Sequence, residues 1–172
     1  MAVYQLGDLV PAIDPDAFVH PDAVVIGDVT IGPQSTVWPG AVLRGDYGEI
    51  RVGARSSIQD GCVVHAVEPF PTVVGDDCVV GHLAHLEGCT LENRSLVGSS
   101  AVVLHQAVIG EGATVGANAV VPNRMVVPPR SLAVGVPAAI KPEASNHEYI
   151  VMAAAVYVTN GERYKKELRR VE

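Results

Sequence analysis

The chain has few aromatic and few charged residues, and both deficits limit the class of protein to which it can belong. Of its 172 residues, 5% are aromatic, 18% are charged and 48% are hydrophobic. A chain this apolar and this weakly charged does not remain disordered. It has 12 Lys and Arg and 19 Asp and Glu, which gives a net charge of −7. This acidic balance argues against nucleic acid or an anionic membrane as a partner.

Long apolar runs and a cysteine framework are also missing. No apolar run reaches the roughly 20 residues that cross a bilayer, and residues 1–8 lack the basic and apolar stretches of a signal peptide. Three cysteines without metal-cluster spacing do not predict a disulfide framework. We therefore expect a cytoplasmic protein that folds as a single domain over 1–172, with no membrane partner.

A six-residue repeat is the strongest pattern in the chain. Branched apolar residues recur at every sixth position in four phased blocks, eighteen positions in all: Val19, Val25, Ile31, Val37, Leu43, Val52, Ile58, Val64, Val74, Val80, Leu86, Leu91, Val97, Val103, Ile109, Val115, Val121 and Val127. Ala, Ser or Cys stands two residues before fourteen of them. A period of six is not helical. It fits short strands with tight corners, because residues i and i−2 of a strand share a face.

Three such strands make a triangular coil, and stacked coils make a solenoid. The pattern resembles the hexapeptide-repeat proteins, whose fold is a left-handed parallel β-helix, so we expect an all-β solenoid over about 11–140. All three cysteines occupy the small inward position and are expected to be packing residues. The phase breaks at 43–52, 64–74 and 86–91 predict loops or irregular corners.

The C-terminal segment has a different pattern. Ser145-Asn146-His147-Glu148 resembles a capping box, an apolar run follows at 149–158, and Lys165, Lys166, Arg169 and Arg170 come near the end. Caps, apolar residues and terminal cations in this order predict a helix over about 145–172. We expect it to pack along the solenoid.

Histidines and one glutamate are the candidate metal ligands. His65 and His82 are seventeen residues apart, about one coil, which predicts neighbouring coils and one shared corner. His85 and Glu87 flank the inward Leu86 and should face outward together. Two or three imidazoles with a carboxylate and one open position form the ligand set of a catalytic zinc, and Fe or Co are alternatives. Glu68, in the longest phase break, is a candidate proton shuttle.

The segments WPGAVLRGD at 38–46, IQDGCVVH at 58–65 and VGH at 80–82 resemble the gamma-class carbonic anhydrases in order and spacing. The resemblance implies a homotrimer with a metal at each subunit interface. It implies that His65 comes from one subunit and His82 from its neighbour, and that Gln59 orients the metal-bound water.

The same resemblance implies roles for four further residues. Arg44 and Asp60 would pair across the interface, and Asp46 would hold the R-G-D turn. An alternative for these three is an ion-pair network that forms the trimer without catalysis. Tyr157, on the C-terminal helix, looks like the tyrosine of that family.

The sequence departs from the family motif at the third ligand. Glu87 stands where the family has histidine, and His85 appears two residues earlier. Either residue could complete the metal site, and an anionic ligand would oppose the lowering of the pKa of bound water that CO2 hydration needs.

The first expectation for function is zinc-dependent hydration of CO2 to bicarbonate through metal-bound hydroxide. Alternatives are a hexapeptide-repeat acyltransferase or a thioesterase that uses acyl-CoA, and a non-catalytic trimeric scaffold that binds metal.

Overall fold

The chain folds as a left-handed parallel β-helix with one C-terminal helix, as its resemblance to the hexapeptide-repeat proteins and the pattern of its C-terminal segment predict. The computed structural model describes residues 2–172. No helix among these residues is long and apolar enough to cross a membrane. The twenty strands found in 2–172, β1 to β20 in chain order, are Ala2–Tyr4, Ala12–Ile13, Phe18–Val19, Val24–Ile31, Thr36–Val37, Val42–Val52, Ser57–Ile58, Val63–Val67, Thr72–Val74, Val79–Val80, His85–Glu87, Thr90–Leu91, Leu96–Val97, Val102–Val103, Val108–Ile109, Thr114–Val115, Val120–Val121, Val126–Val127, Leu132–Val134 and Ala139–Lys141.

The strands line three faces of a prism. Face one runs through β17, β14, β11, β8, the first half of β6 and the first half of β4. Face two runs through β18, β15, β12, β9 and the second halves of β6 and β4. Face three is a separate sheet from β19 to β3, with β20 antiparallel at its end. Each coil therefore contributes one strand to each face, and every interior strand is hydrogen-bonded on both edges.

The interior of the prism is filled by the repeat residues. All eighteen branched apolar positions are buried, none more than 8% exposed, and so are the fourteen small residues that precede them. Cys62, Cys78 and Cys89 are free and buried, as their repeat position predicts. Burial raises the pKa of Cys62 to about 11 and that of Cys89 to about 12. The thiols are therefore core residues.

One of the three predicted irregularities is not a loop. The segment from Leu43 to Val52 stays within β6, which turns from face one to face two and pairs with β4 on one side. Its extra residues lie between Gly45 and Ile50, where the pairing register of β6 against β4 shifts. The expected loop at 64–74 does form, as a turn over Glu68–Phe70.

The helix α1 spans His147–Glu167 and covers face three. Its N-cap is Asn146, whose side chain accepts a hydrogen bond from the Tyr149 backbone N–H at 3.1 Å. The capping-box prediction, with Ser145 as the cap, is therefore wrong by one residue. The Ser145 hydroxyl instead contacts the Thr114 hydroxyl at 2.7 Å. The helix also ends earlier than predicted, because residue 168 is already extended.

Candidate functional site

A row of valines faces outward along face one. The strand register aligns Val24, Val42, Val63, His85, Val102 and Val120 on successive coils. Their neighbours along each strand point into the core, so this row points away from it. All six are partly accessible, and Val63 is 41% exposed. His85 is the one polar side chain in this valine ladder.

Beside the ladder lies a row of ionisable side chains. The register places Arg44 opposite His65, and His65 opposite Glu87. The Glu87 carboxylate contacts two imidazoles: Oε1 lies 2.7 Å from His65 Nδ1, and Oε2 lies 3.1 Å from His85 Nε2. The prediction that His85 and Glu87 face outward together agrees with this geometry. His65 is 9% exposed, so this contact is nearly buried.

Asp46 closes the other side of His65. Its Oδ1 lies 3.0 Å from His65 Nε2, and its Oδ2 accepts a hydrogen bond from Arg44. Burial acts to raise the pKa of Asp46, but the hydrogen bonds from Arg44 and His65 outweigh it and hold that pKa below its usual value. We call Asp46, His65, His85 and Glu87 the His65 cluster. Three contacts between a carboxylate and an imidazole, each 2.7 to 3.1 Å long, join the residues of the cluster.

His82 lies elsewhere, at a corner of the prism. Its Nδ1 is 2.8 Å from Asp60 Oδ2, and the two side chains are 52% and 49% exposed. The turns that carry them are stacked by a hydrogen bond from the Leu83 backbone N–H to the Asp60 carbonyl at 2.9 Å. When Nδ1 donates to Asp60, Nε2 is left as a free acceptor in solvent.

The prediction that His65 and His82 share a corner is wrong. Glu87 stacks on His65 and His82 stacks on Asp60, both at an offset of 22 residues. The coil is longer than eighteen residues because the break at 64–74 adds residues to it. Within one chain, His82 precedes β11 and Glu87 ends it, so the two sites lie at opposite ends of face one.

Gln59 and Tyr157 lie on the His82 side. Gln59 follows β7, is 4% exposed, and donates its backbone N–H to the Val80 carbonyl at 2.9 Å. Tyr157 packs edge-on against Trp38 with ring centroids 5.8 Å apart. Burial raises the pKa of Tyr157, and the negative charge of Asp60 adds to the shift. Within one chain Arg44 and Asp60 have separate partners, Asp46 and His82.

Glu68 lines an open cleft of about 740 Å³ beside the His65 cluster. Its backbone N–H donates to the Tyr47 carbonyl at 2.8 Å, which fixes the turn against β6. Asp46 reaches this cleft too, together with Asp28 and Glu49. Asp28, Tyr47 and Glu49 also line the cleft, and the sequence pattern did not predict them as site residues. The phase break at 43–52 was a usable signal for the last two, whereas Asp28 has none.

No three His, Cys, Asp or Glu side chains of residues 2–172 are arranged within one chain to hold a metal ion. The donor types nevertheless suit zinc, since imidazoles with a carboxylate are common zinc ligands. A metal held by His65 and Glu87 would need a further ligand from another copy of the chain. His82, at the far end of the same face, is the residue that a second copy would offer.

Comparisons with known proteins point to hexapeptide-repeat transferases. A family model described as bacterial transferase hexapeptide (six repeats) matches residues 11–45 and 88–123. The carnitine operon protein CaiE of Escherichia coli strain K12 is 41% identical over 148 residues, covering 86% of this chain and 76% of CaiE.

Solved structures agree with this relationship. A candidate acetyltransferase from Bacillus cereus superimposes with a TM-score of 0.93 at 32% identity, covering 95% of this chain and 96% of that one. A histidine-to-asparagine mutant of perosamine N-acetyltransferase from Caulobacter crescentus, solved with CoA and GDP-perosamine, has a TM-score of 0.58 at 30% identity, covering 77% of this chain and 57% of that one. The narrower resemblance to gamma-class carbonic anhydrases rests on the sequence motifs alone.

Proposed function

Because the chain belongs to the bacterial hexapeptide-repeat transferase family, we propose that it is an acyl-CoA-dependent enzyme that works as a homotrimer. His82 is its general base, and the observation that carries this assignment is the hydrogen bond between His82 and Asp60. CoA is the expected acyl carrier, since a structural relative was solved with CoA bound. We therefore favour the acyltransferase alternative over CO2 hydration.

The pairing of His82 with Asp60 suits proton transfer. A carboxylate on Nδ1 fixes the tautomer and the orientation of the ring, and Nε2 then accepts a proton from a nucleophile. Half of each side chain is exposed, so a substrate can reach Nε2 without movement of the scaffold. Tyr157 and Gln59 lie on the same side of the prism and would form the wall behind this pair.

The reaction balances with His82 as the proton carrier. Nε2 takes the proton of a hydroxyl or amine acceptor as that acceptor attacks the thioester carbonyl. The carbon–sulfur bond then breaks, and His82 donates the proton to the departing sulfur of CoA. The products are the acylated acceptor and free CoA. With water as the acceptor, the same steps amount to thioester hydrolysis.

The valine ladder supports the trimer. Face three is covered by α1, whereas the outward row of face one is partly exposed valine with one histidine. An apolar row of this kind is stabilised when another protein surface covers it. A second copy on face one would bring its own corner residues toward the His65 cluster and complete a cleft between subunits.

The test is release of CoA from acetyl-CoA and longer acyl-CoA thioesters, with water, carnitine or glucosamine as the acceptor. Carnitine is included because relatives are named for a carnitine operon. His82→Gln should lower kcat about 10²–10⁴-fold, and Asp60→Asn should also lower it. His147→Gln, a histidine on α1, is the matched control and should keep wild-type activity. Equal activity of His82→Gln and wild type would rule out His82 as the base.

We also propose a second candidate, a zinc centre at the same interface, because the Glu87 carboxylate joins two imidazoles. His65 and Glu87 of one copy, with His82 of another, would hold the metal, and His85 could replace Glu87. Zinc there would supply Lewis acidity and lower the pKa of a nearby water. Gln59 and Glu68 would orient and shuttle protons, and CO2 or bicarbonate would be the substrate. Asp46 would hold His65 in place by its hydrogen bond.

The zinc proposal is tested by metal content per chain after purification without a chelator. Wild type should carry about one metal per chain, and His82→Ala should lose it. Loss in either His85→Ala or Glu87→Ala identifies the third ligand, and His105→Ala serves as the control. A wild type that binds no metal after zinc is supplied would exclude the centre while leaving the His82 proposal intact.

A further inference from the structure

One corner of the prism places a leucine in the left-handed backbone conformation. Successive coils place Gly40, Gly61, Leu83, Ser100 and Asn118 at the same turn position, each with its backbone N–H bonded to the turn below. Their φ angles lie between 57° and 71°, in the left-handed region. Glycine and asparagine tolerate this region, whereas a larger side chain crowds the following carbonyl.

Leu83 gains little from folding to offset this conformation. Its side chain is 66% exposed, so it buries little apolar surface. The side chain lies over Gly61 of the coil below, where a Cβ would stand 2.6 Å from Leu83 Cδ2. Eleven non-glycine residues of 2–172 have a positive φ, and Leu83 is the one among them with an apolar side chain. The neighbouring residue along the chain is His82, the proposed general base.

We propose that Leu83 is the residue that selects the acyl group, by giving a chain of several carbons an apolar surface beside His82. This inference rests on the proposed acyl-CoA function and deepens it. The leucine stands on the same turn as the base, so an acyl group held near Nε2 lies within reach of its side chain. Burial of acyl methylenes against Leu83 then favours longer acyl groups over acetyl.

The experiment compares kcat/KM for hexanoyl-CoA and acetyl-CoA in wild type and Leu83→Asn. Asparagine suits the left-handed conformation and removes the apolar surface. We expect the hexanoyl-to-acetyl ratio to fall about 10-fold, because a few methylenes lose their contact. We also expect Tm to rise by about 3 °C as the strain is relieved.

Gln34→Asn is the matched control. Gln34 is exposed, has φ of 58° and lies at another corner, so its replacement relieves the same conformation far from His82. Its Tm should rise as well, while the ratio for the two thioesters stays at the wild-type value. A ratio that falls in both variants would overturn the assignment of Leu83.

Three other outcomes also overturn the inference, and they are distinguishable. An unchanged ratio in Leu83→Asn, with active wild type, removes the role of Leu83 and leaves the proposed function. No turnover of any thioester by wild type removes the proposed function itself. A Leu83→Asn protein with a lower Tm, or with a smaller mass by light scattering, shows that this leucine packs between copies.

Discussion

At the scale of single residues, the His65 cluster depends on the charge of Asp46. The pKa of Asp46 lies below the ordinary 3.8, mainly because hydrogen bonds from Arg44 and His65 outweigh its burial. A carboxyl with a lowered folded-state pKa stabilises the fold above its unfolded pKa, and that stability is lost as the pH falls through the folded value. Tm of wild type should therefore fall more steeply below about pH 4 than Tm of Asp46→Asn.

Thermal unfolding followed from pH 7 to pH 3 checks this. Asp8→Asn, at an exposed position near the N-terminus, provides the control and should follow the wild-type curve. Identical slopes for wild type and Asp46→Asn would mean that the contact between Asp46 and His65 does not persist in solution.

The cysteines make a second prediction at this scale. Burial raises the pKa of Cys62 to about 11 and of Cys89 to about 12, and it also raises the pKa of Cys78. Because the thiolate is the reactive form, a thiol reagent at pH 8 should label none of the three in the folded protein. All three should react in denaturant. Rapid labelling of the native protein would contradict their place in the core.

At the scale of elements, α1 is fitted to face three at Gly161. A Cβ at this position would lie 2.6 Å from Thr36 Cγ2, on a strand that the helix covers. Gly161→Ala should lower stability by about 1–2 kcal/mol, because overpacking exceeds the gain of about 1 kcal/mol in helix propensity. Thr159→Ala, at an exposed position on the same helix, controls for propensity.

A double mutant isolates the contact. Thr36→Ser removes the methyl group that the new Cβ would meet, while it keeps the hydroxyl that bonds Ser57 and Trp38. The cost of Gly161→Ala should therefore be smaller in the Thr36→Ser background. If denaturant unfolding shows that Gly161→Ala lowers stability equally in both backgrounds, the new Cβ does not clash with the Thr36 methyl group.

At the scale of the whole molecule, the valine ladder predicts a trimer that one charge can dissociate. Light scattering should give about 54 kDa for wild type, three times the 18.0 kDa chain. Val63→Lys should leave a folded chain near 18 kDa, because the site is 41% exposed in one copy and only an assembly would bury it.

Val126→Lys is the control for this prediction. Val126 is 59% exposed on face two, so a lysine there should keep the wild-type mass and the wild-type circular dichroism. A wild type of 18 kDa would rule out the interface and, with it, every site that requires two copies.

Much of the fold could be predicted from the sequence because each coil of a solenoid repeats the same contacts with the coils beside it. Each inward residue, such as Val64 or Leu86, meets the same environment on every coil, so the six-residue period alone predicts its burial. The helix was predictable for similar reasons, although the choice between Ser145 and Asn146 as cap depended on Thr114, which is 31 residues away from Ser145.

The sequence alone determined the coil, the core residues and the chemical types at the candidate site, since these follow from period and composition. Only the tertiary structure decided which of these groups meet. Stacking brings together residues one coil apart, and the length of that coil depends on how the breaks at 43–52 and 64–74 are accommodated. One was absorbed into β6 and the other formed a turn, so Glu87 faces His65 and Asp60 faces His82. The left-handed φ of Leu83 could not be predicted from the sequence either, because the φ angle of a turn depends on the coils above and below it.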